Sequence, residues 1–403
     1  MLTTQAERDF ESLTFADLEA DPYPVLKRLR AEAPLAYIPG AGGWLATSYE
    51  LVQEIHENTE IFKATIPEEP LVCMGAENIL SLEGPRHLRY RKAVHKTLSR
   101  PSVDSFADRV IGEVVEERLS MLDGLETSEL LTEYFEPMSV LSVARVIGVP
   151  HLDIDTLRRW FYGLILGTSN VTLDMDIARK ANKVSLEIDE TVRPVFEKLD
   201  KEPDGSVMSH LLQYASGDTL QERIDDITPT LKIIIAGGLQ EPGHGAATLT
   251  DGLLTHPESL RKFQEDTAGQ IQSAVEEGLR WVSPVGANVR QLRNDAVVAG
   301  RELAADTFVL ASLSSANRDE TVYGANSAVF DITRPESRHM AFGVGMHHCS
   351  GNYFGRVAIR MAVKALFDRY PDMRLNEEFG PTPYKGFVFR APTAVNVKLG
   401  TRA

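Results

Sequence analysis

The sequence predicts a mainly α-helical protein with a smaller β portion, built as one continuous domain over residues 1–403. Two observations carry that reading. Apolar residues recur at helical spacing through most of residues 102–281, whereas strand-like runs are short and come late in the chain. In addition, no internal repeat, low-complexity block or linker divides the chain, and its 43% hydrophobic content is enough for one large core.

Taken in order, residues 21–34 (DPYPVLKRLRAEAP) predict an amphipathic helix that stops at Pro34. Trp44–Thr47 is a short strand, and a helix follows from Tyr49 to His56. Residues 63–83 hold Pro67, Pro70 and Gly75 and predict a long loop of functional character. The stretch Arg86–Arg100, RHLRYRKAVHKTLSR, is a basic helix with no acid in it. Helices are then predicted at 102–122, 135–148, 151–167, 175–200, 222–256 and 269–281. Strands are expected at Ala296–Val298, at Thr307–Leu310 and near Thr393–Val397, and a last helix runs from Phe354 until Pro371 ends it.

Composition narrows the function. A net charge of −16 argues against wholesale nucleic-acid binding. Two cysteines, Cys73 and Cys349, give no disulfide framework and point to a reducing compartment. The N-terminus lacks the basic flank and apolar core of a signal peptide, and no apolar run reaches the roughly 18 residues of a membrane helix. A cytoplasmic protein without membrane contact is the expectation.

The stretch Phe342-Gly-Val-Gly-Met-His-His-Cys-Ser-Gly351 is the chemical landmark. It sets Cys349 on a glycine-bounded loop just ahead of a helix, where free N–H groups favour a thiolate. Such a thiolate suits one axial bond to a haem iron. The spacing Phe-x-x-Gly-x-His-x-Cys-x-Gly resembles the haem-binding loop of the cytochrome P-450 family. That resemblance implies haem b (iron protoporphyrin IX) ligated by Cys349, with Phe342, Gly343 and Gly351 shaping the loop. It also implies the family fold, in which a long distal helix lies over the haem and the cysteine loop precedes a proximal helix. Ser350 departs from the family, which usually has an apolar residue there, and alters hydrogen bonding near the sulfur.

The second landmark is LKIIIAGGLQEPGHGAATLT, residues 231–250. Gly costs about 1 and Pro about 3 kcal/mol in a helix interior, so five breakers within nine residues suit no ordinary helix. Pro242 is expected to kink it and to free the carbonyl of Gly238. Gly237 and Gly238 would let a flat group approach, and Glu241 would place an acid at the kink. A plain loop between two helices is the rival reading. The segment resembles the distal helix of the P-450 family, with Glu241 at the acid position and Pro242 where a threonine is usual. Glu241, His244 or water would then relay protons.

Gln240-Glu-Pro-Gly-His-Gly245 resembles the bacterial P-450s that O-demethylate guaiacol-type aryl ethers, as do RLRAEAPLA (Arg28–Ala36) and EGLRW (Glu277–Trp281). The resemblance implies a monooxygenase that converts a methoxy-substituted phenol of guaiacol or 4-alkylguaiacol type to a catechol plus formaldehyde. The alternative within the fold is hydroxylation of a terpene, fatty acid or alkylphenol, or peroxide-driven turnover. Electrons would come from a separate NAD(P)H-dependent flavin and iron–sulfur reductase or a ferredoxin. The basic helix, with Arg356 and Arg360, would form the docking face.

Further residues follow from the resemblance. Glu277, Arg280 and Arg334 would form a buried charge cluster behind the haem. His87, Arg91, Arg290 and His347 would hold its propionates. Met74, Leu80, Thr168, Ile234, Val285, Ala287, Asn288 and Phe389 would line the substrate pocket, although each is by itself as readily a core residue. A di-iron site from Glu241-x-x-His244 and Glu336-x-x-His339 has the right spacing but lacks further helical glutamates.

Overall fold

A computed structural model describes the chain except residues 1–9, 11, 41, 66–72, 76, 169, 171–173, 336, 337 and 403. Helix accounts for 58% of the structure and strand for 11%, as the spacing of apolar residues requires. Eight helices position the site. They are α1 (Gly84–Leu98), α2 (Glu136–Ile147), α3 (Ile154–Thr168), α4 (Met175–Lys201), α5 (Leu220–Ala236), α6 (Glu241–Thr255), α7 (Thr267–Trp281) and α8 (Asn352–Arg369). One apolar core joins them, with α6 in its middle: Ala246, Ala247, Leu249 and Leu253 on it have no exposed surface.

The largest sheet lies to one side. It comprises β1 (Leu35–Ile38), β2 (Gly43–Ala46), β3 (Phe62–Lys63), β4 (Ala287–Leu292) and β5 (Phe308–Ser312), in the order β1-β2-β5-β4-β3. Only β2 and β5 run parallel, with Trp44 opposite Val309. The antiparallel pairing of β4 with β5 sets Arg290 opposite Val309 and Asn288 opposite Ala311. Arg290 and Leu292, two apart on β4 and so on one face, are both buried, and Arg290 turns its side chain inward.

Several expected elements are corrected. The single helix over 222–256 is two, α5 and α6, separated by a turn at residues 237–240. Pro242 kinks nothing: it occupies the first turn of α6, where a missing N–H costs no hydrogen bond. The turn carbonyl of Leu239, left over by the break, accepts a hydrogen bond from Ser139 Oγ at 2.7 Å. The helix over 102–122 is interrupted by a wide π-type turn at Asp108–Gly112. The helix expected over 21–34 is present as Tyr23–Glu32, and a short helix before it, Phe15–Ala20, was not expected. Helices at Val207–Tyr214 and Pro257–Glu265 had no counterpart in the sequence reading.

The glycines of the broken segment have a packing role. A Cβ on Gly243 would lie 2.7 Å from the carbonyl oxygen of Phe135, and one on Gly245 would lie 2.7 Å from Cδ1 of Ile359. They let α6 close on α2 on one side and on α8 on the other. Among the described residues, no helix is long and apolar enough to cross a membrane.

Candidate functional site

Cys349 ends an irregular loop three residues ahead of α8. Its N–H donates to the carbonyl of Phe342 at 2.9 Å, which closes the loop. Its carbonyl accepts from Asn352 Nδ2 at 2.7 Å, tying the loop to the helix start. Gly343 and Gly345 hold φ values of +65° and +73°, a region other residues rarely enter. A Cβ on Gly345 would meet the carbonyl oxygen of His56 at 2.8 Å. Phe342 is clamped by the Arg356 guanidinium, 4.4 Å above its ring, and Arg356 pairs in turn with Glu276. Burial raises the Cys349 thiol, while the Gly351 N–H and the Arg91 charge pull the other way.

Around this loop the fold gathers basic groups that form no ion pair among the described residues. His87 on α1 is 2% exposed, and its ring lies 4.6 Å from that of His347. All four of their ring nitrogens are buried without a hydrogen-bond partner among the described residues. Arg290 is 8% exposed and donates only to the Val289 carbonyl among the described residues; burial lowers it to about 10. Burial also lowers His347 to about 4. A buried cation without a counter-ion is costly, so this cluster suits an anionic ligand, such as the two carboxylates of a haem. The sequence reading missed His56, which completes the cluster. His56 Nδ1 bonds the Val52 carbonyl at 2.7 Å, and Nε2 lies 3.3 Å from Asn288 Nδ2.

Arg91 is placed differently from the propionate role. Its Nη1 donates to Ser350 Oγ at 2.5 Å and to the His348 carbonyl at 2.6 Å. Ser350 therefore acts on the loop through Arg91. The docking face also shrinks. Arg86 pairs with Glu77 and Asp226, and Arg89 with Asp226, so neither points freely outward. What remains is a hollow of about 340 Å³ lined by Leu88, Arg91, Lys92, His95, Cys349, Ser350 and Asn352.

On the opposite side stands Glu241. Both its carboxylate oxygens are buried without a partner among the described residues, and burial raises it to about 7. Glu241 lies near enough for its charge to raise the Cys349 thiol further. The side-chain amide of Gln240 is equally buried and unpartnered among the described residues. His244 faces α2 and α3, edge-on to Phe161, and burial lowers it to about 4. Gly238 lies in the turn before α6.

The expected pocket residues divide. Val285 and Phe389 form an isolated bridge that brings the two segments together, and Ala287 and Asn288 continue from Val285 along β4. Ile234, on α5, is half-buried. Three others sit less well. Met74 is wholly buried in the main core, Leu80 is 39% exposed, and the Thr168 hydroxyl donates to the carbonyls of Leu164 and Ile165 in its own helix. Part of the loop before Leu80, with Pro67 and Pro70, lies outside the described residues, as does Glu336.

Behind the loop the charge cluster forms as expected. Glu277 and Arg280 are joined by two bonds of 2.7 Å, both residues nearly without exposure. Arg334 Nε lies 3.4 Å from the same carboxylate. Arg280 also donates to the carbonyls of Asn317, Ser327 and Val329, which fixes the chain leading to the cysteine loop.

A thiol on a glycine loop, a basic cluster that suits an anion and a buried acid whose charge reaches the thiol form the arrangement expected for binding a haem through a thiolate. The family model described as cytochrome P-450 matches residues 270–392. CYP107DY1 of Priestia megaterium is 28% identical over 79% of this chain and 76% of its own. Nocardicin C N-oxygenase of Nocardia uniformis is 29% identical over 96% of this chain and 98% of its own. The crystal structure of P-450 BioI with an acyl carrier protein carrying hexadec-9Z-enoic acid is 26% identical. It superimposes with a TM-score of 0.83 over 94% of this chain and 98% of that one. The chain is similar to cytochrome P-450s over nearly its full length and shares their fold, and its cofactor is haem b. It is a monooxygenase, and P-450s of this bacterial kind take electrons from a separate reductase or ferredoxin.

Proposed function

We propose that this monooxygenase O-demethylates a methoxy-substituted phenol of guaiacol or 4-alkylguaiacol type, with Cys349 as the iron ligand. The observation that carries the reading is the segment 240–245. Glu241 there is buried without a partner among the described residues, and Pro242 starts α6; by resemblance they stand where the family usually has an acid–threonine pair.

Haem b, once bound, activates dioxygen with two electrons and inserts one oxygen atom into a substrate C–H bond. The chain's own residues do the rest. Cys349 would hold the iron through its thiolate. Arg290 would neutralise propionate charge, and His87 and His347 would offer the propionates ring N–H donors. Glu241 holds a proton at its carboxyl near neutral pH and releases it toward the oxygen-binding face. Val285, Ala287, Ile234 and Phe389 offer an apolar wall, and Asn288 a polar group, for a small substituted ring. A hydroxylated methyl ether is a hemiacetal, which collapses to the catechol and formaldehyde. The hollow with Lys92 and His95 suits an acidic electron donor.

A panel of methoxyphenols, scored by the substrate-induced spin-state shift and by formaldehyde released per NADH, tests the reading. Tight guaiacol binding with matched formaldehyde is the expected result. Hydroxylation of a terpene or fatty acid with silent guaiacols overturns it.

A further inference from the structure

Glu136 is a buried carboxylate that nothing in the proposed chemistry uses. It is 3% exposed at the head of α2. A helix start normally offers free N–H groups to an acid, but here the preceding turn Leu131–Phe135 is already helical and uses them. The charge therefore needs another reason to be there. Its Oε2 pairs with Arg158 at 3.1 Å, and Arg158 also donates to the Thr132 carbonyl. Its Oε1 accepts from the Tyr162 hydroxyl at 2.9 Å and lies 3.9 Å from His244 Nε2. Tyr162 is 52% exposed, and Arg158 lines a surface hollow of about 530 Å³ with Glu117, Asp153 and Asp155.

A line runs from solvent to α6 through Tyr162, Glu136 and His244, and Glu241 stands three residues before His244 on the same helix. One water or a small ring rotation closes the 3.9 Å step between Glu136 and His244.

The geometry points to Glu136 as the positioning and proton-loading group of a lateral relay that refills Glu241 from the α2–α3 surface. Each passage moves one proton and no electron. The Tyr162 hydroxyl gives its proton to Glu136 Oε1 and regains one from solvent. Glu136 protonates His244 Nε2, and the other imidazole nitrogen releases a proton to Glu241. Burial raises Glu136 and lowers His244, which brings their proton affinities toward one another. The groups facing Glu136 are Arg158 and Tyr162 from α3, His244 from α6 and, at longer range, Glu129. Arg158 holds the carboxyl in place but carries no proton along the line.

The inference rests on the monooxygenase reading and not on the choice of substrate. The test uses haem-loaded Glu136→Gln and Tyr162→Phe, supplied with excess reductase and whichever substrate couples best in the unaltered protein. The readouts are peroxide released per NADH and the solvent isotope effect on NADH use. Glu136→Gln is expected to keep its haem content and carbon monoxide spectrum. Its coupling should fall about tenfold, short of the hundredfold or more for loss of a direct general acid. Its solvent isotope effect should rise, and Tyr162→Phe should change in the same direction by less. Wild-type coupling and isotope effect in a haem-replete Glu136→Gln would overturn the relay alone, whereas an unaltered chain that binds no haem would remove the monooxygenase reading itself. Should Glu136→Gln fail to load haem, Tyr162→Phe decides: an unchanged isotope effect there overturns the relay.

Discussion

Gly243 and Gly245 sit two residues apart in α6, and replacing each by alanine should give opposite balances. Alanine gains about 1 kcal/mol over glycine in a helix interior, so propensity favours both changes equally. Packing separates them. The new Cβ at 243 would stand 2.7 Å from the Phe135 backbone oxygen and 3.2 Å from Ser139 Cβ. A backbone carbonyl has no rotamer to escape into, so α6 and α2 must part by several tenths of an ångström. Overpacking of this kind costs about 1–3 kcal/mol. The shift would also stretch the Ser139–Leu239 bond, now 2.7 Å. The net expectation for Gly243→Ala is a loss of roughly 1–2 kcal/mol. At 245 the obstacle is the far end of a flexible side chain, Cδ1 of Ile359. A rotamer change there costs of order 1 kcal/mol, which the helix propensity offsets, and Gly245→Ala should lie near neutral. Denaturant unfolding of the two variants, followed by far-ultraviolet circular dichroism, measures both. A Gly243→Ala protein as stable as Gly245→Ala would refute the claim that helix contact, and not approach by a ligand, fixes the glycine at 243.

Three further outcomes are expected. Glu277→Ala leaves Arg280, 1% exposed, and Arg334 without their shared carboxylate, and should cost about 3–5 kcal/mol in unfolding measurements; a loss below about 1 kcal/mol would contradict a buried pair. Glu241, held at about 7 against an ordinary 4.5, binds a proton in the folded haem-free chain that the unfolded chain has already lost. Its contribution to stability therefore falls as pH rises through that window, by about 3 kcal/mol in all at about 1.4 per unit, and comparison with Glu241→Gln isolates it. A difference that grows with pH has the wrong sign for a buried acid. Finally, Lys92→Glu should raise the KM for the electron donor at low salt with unfolding unchanged, whereas Arg89→Glu should destabilise the fold by facing Asp226 with a like charge. Equal effects on KM from both would restore the wider basic face.

Much of the local structure was legible because it depends on neighbours in sequence. The 3.6-residue spacing of Phe354, Val357, Ala358, Met361, Ala362 and Ala365 marks α8, and the strong breakers around Cys349 mark the loop before it. Glu277 and Arg280, three apart on a helix, pair as their spacing allows. The break at residues 237–240 was harder to read. Gly and Pro announce a disturbance, but Pro242 serves a kinked helix and a fresh helix start equally well, and which it does depends on the helices packed around it. The signal for Glu136 was present in EPMSVLSVARVI, where one acid heads an otherwise apolar run, yet its meaning lay in Tyr162, Arg158 and His244 on two other helices.

By itself the sequence determined the mainly helical class, the cysteine loop and the residue types around it, since periodicity, breakers and short motifs are properties of contiguous chain. Only the tertiary structure decided which charges face each other. It turned Arg86 and Arg89 to Asp226, gave Arg91 to Ser350, and left His87, His347 and Arg290 together without an acid. Coulomb and desolvation energies depend on distance and burial through space, and one-dimensional spacing does not carry them.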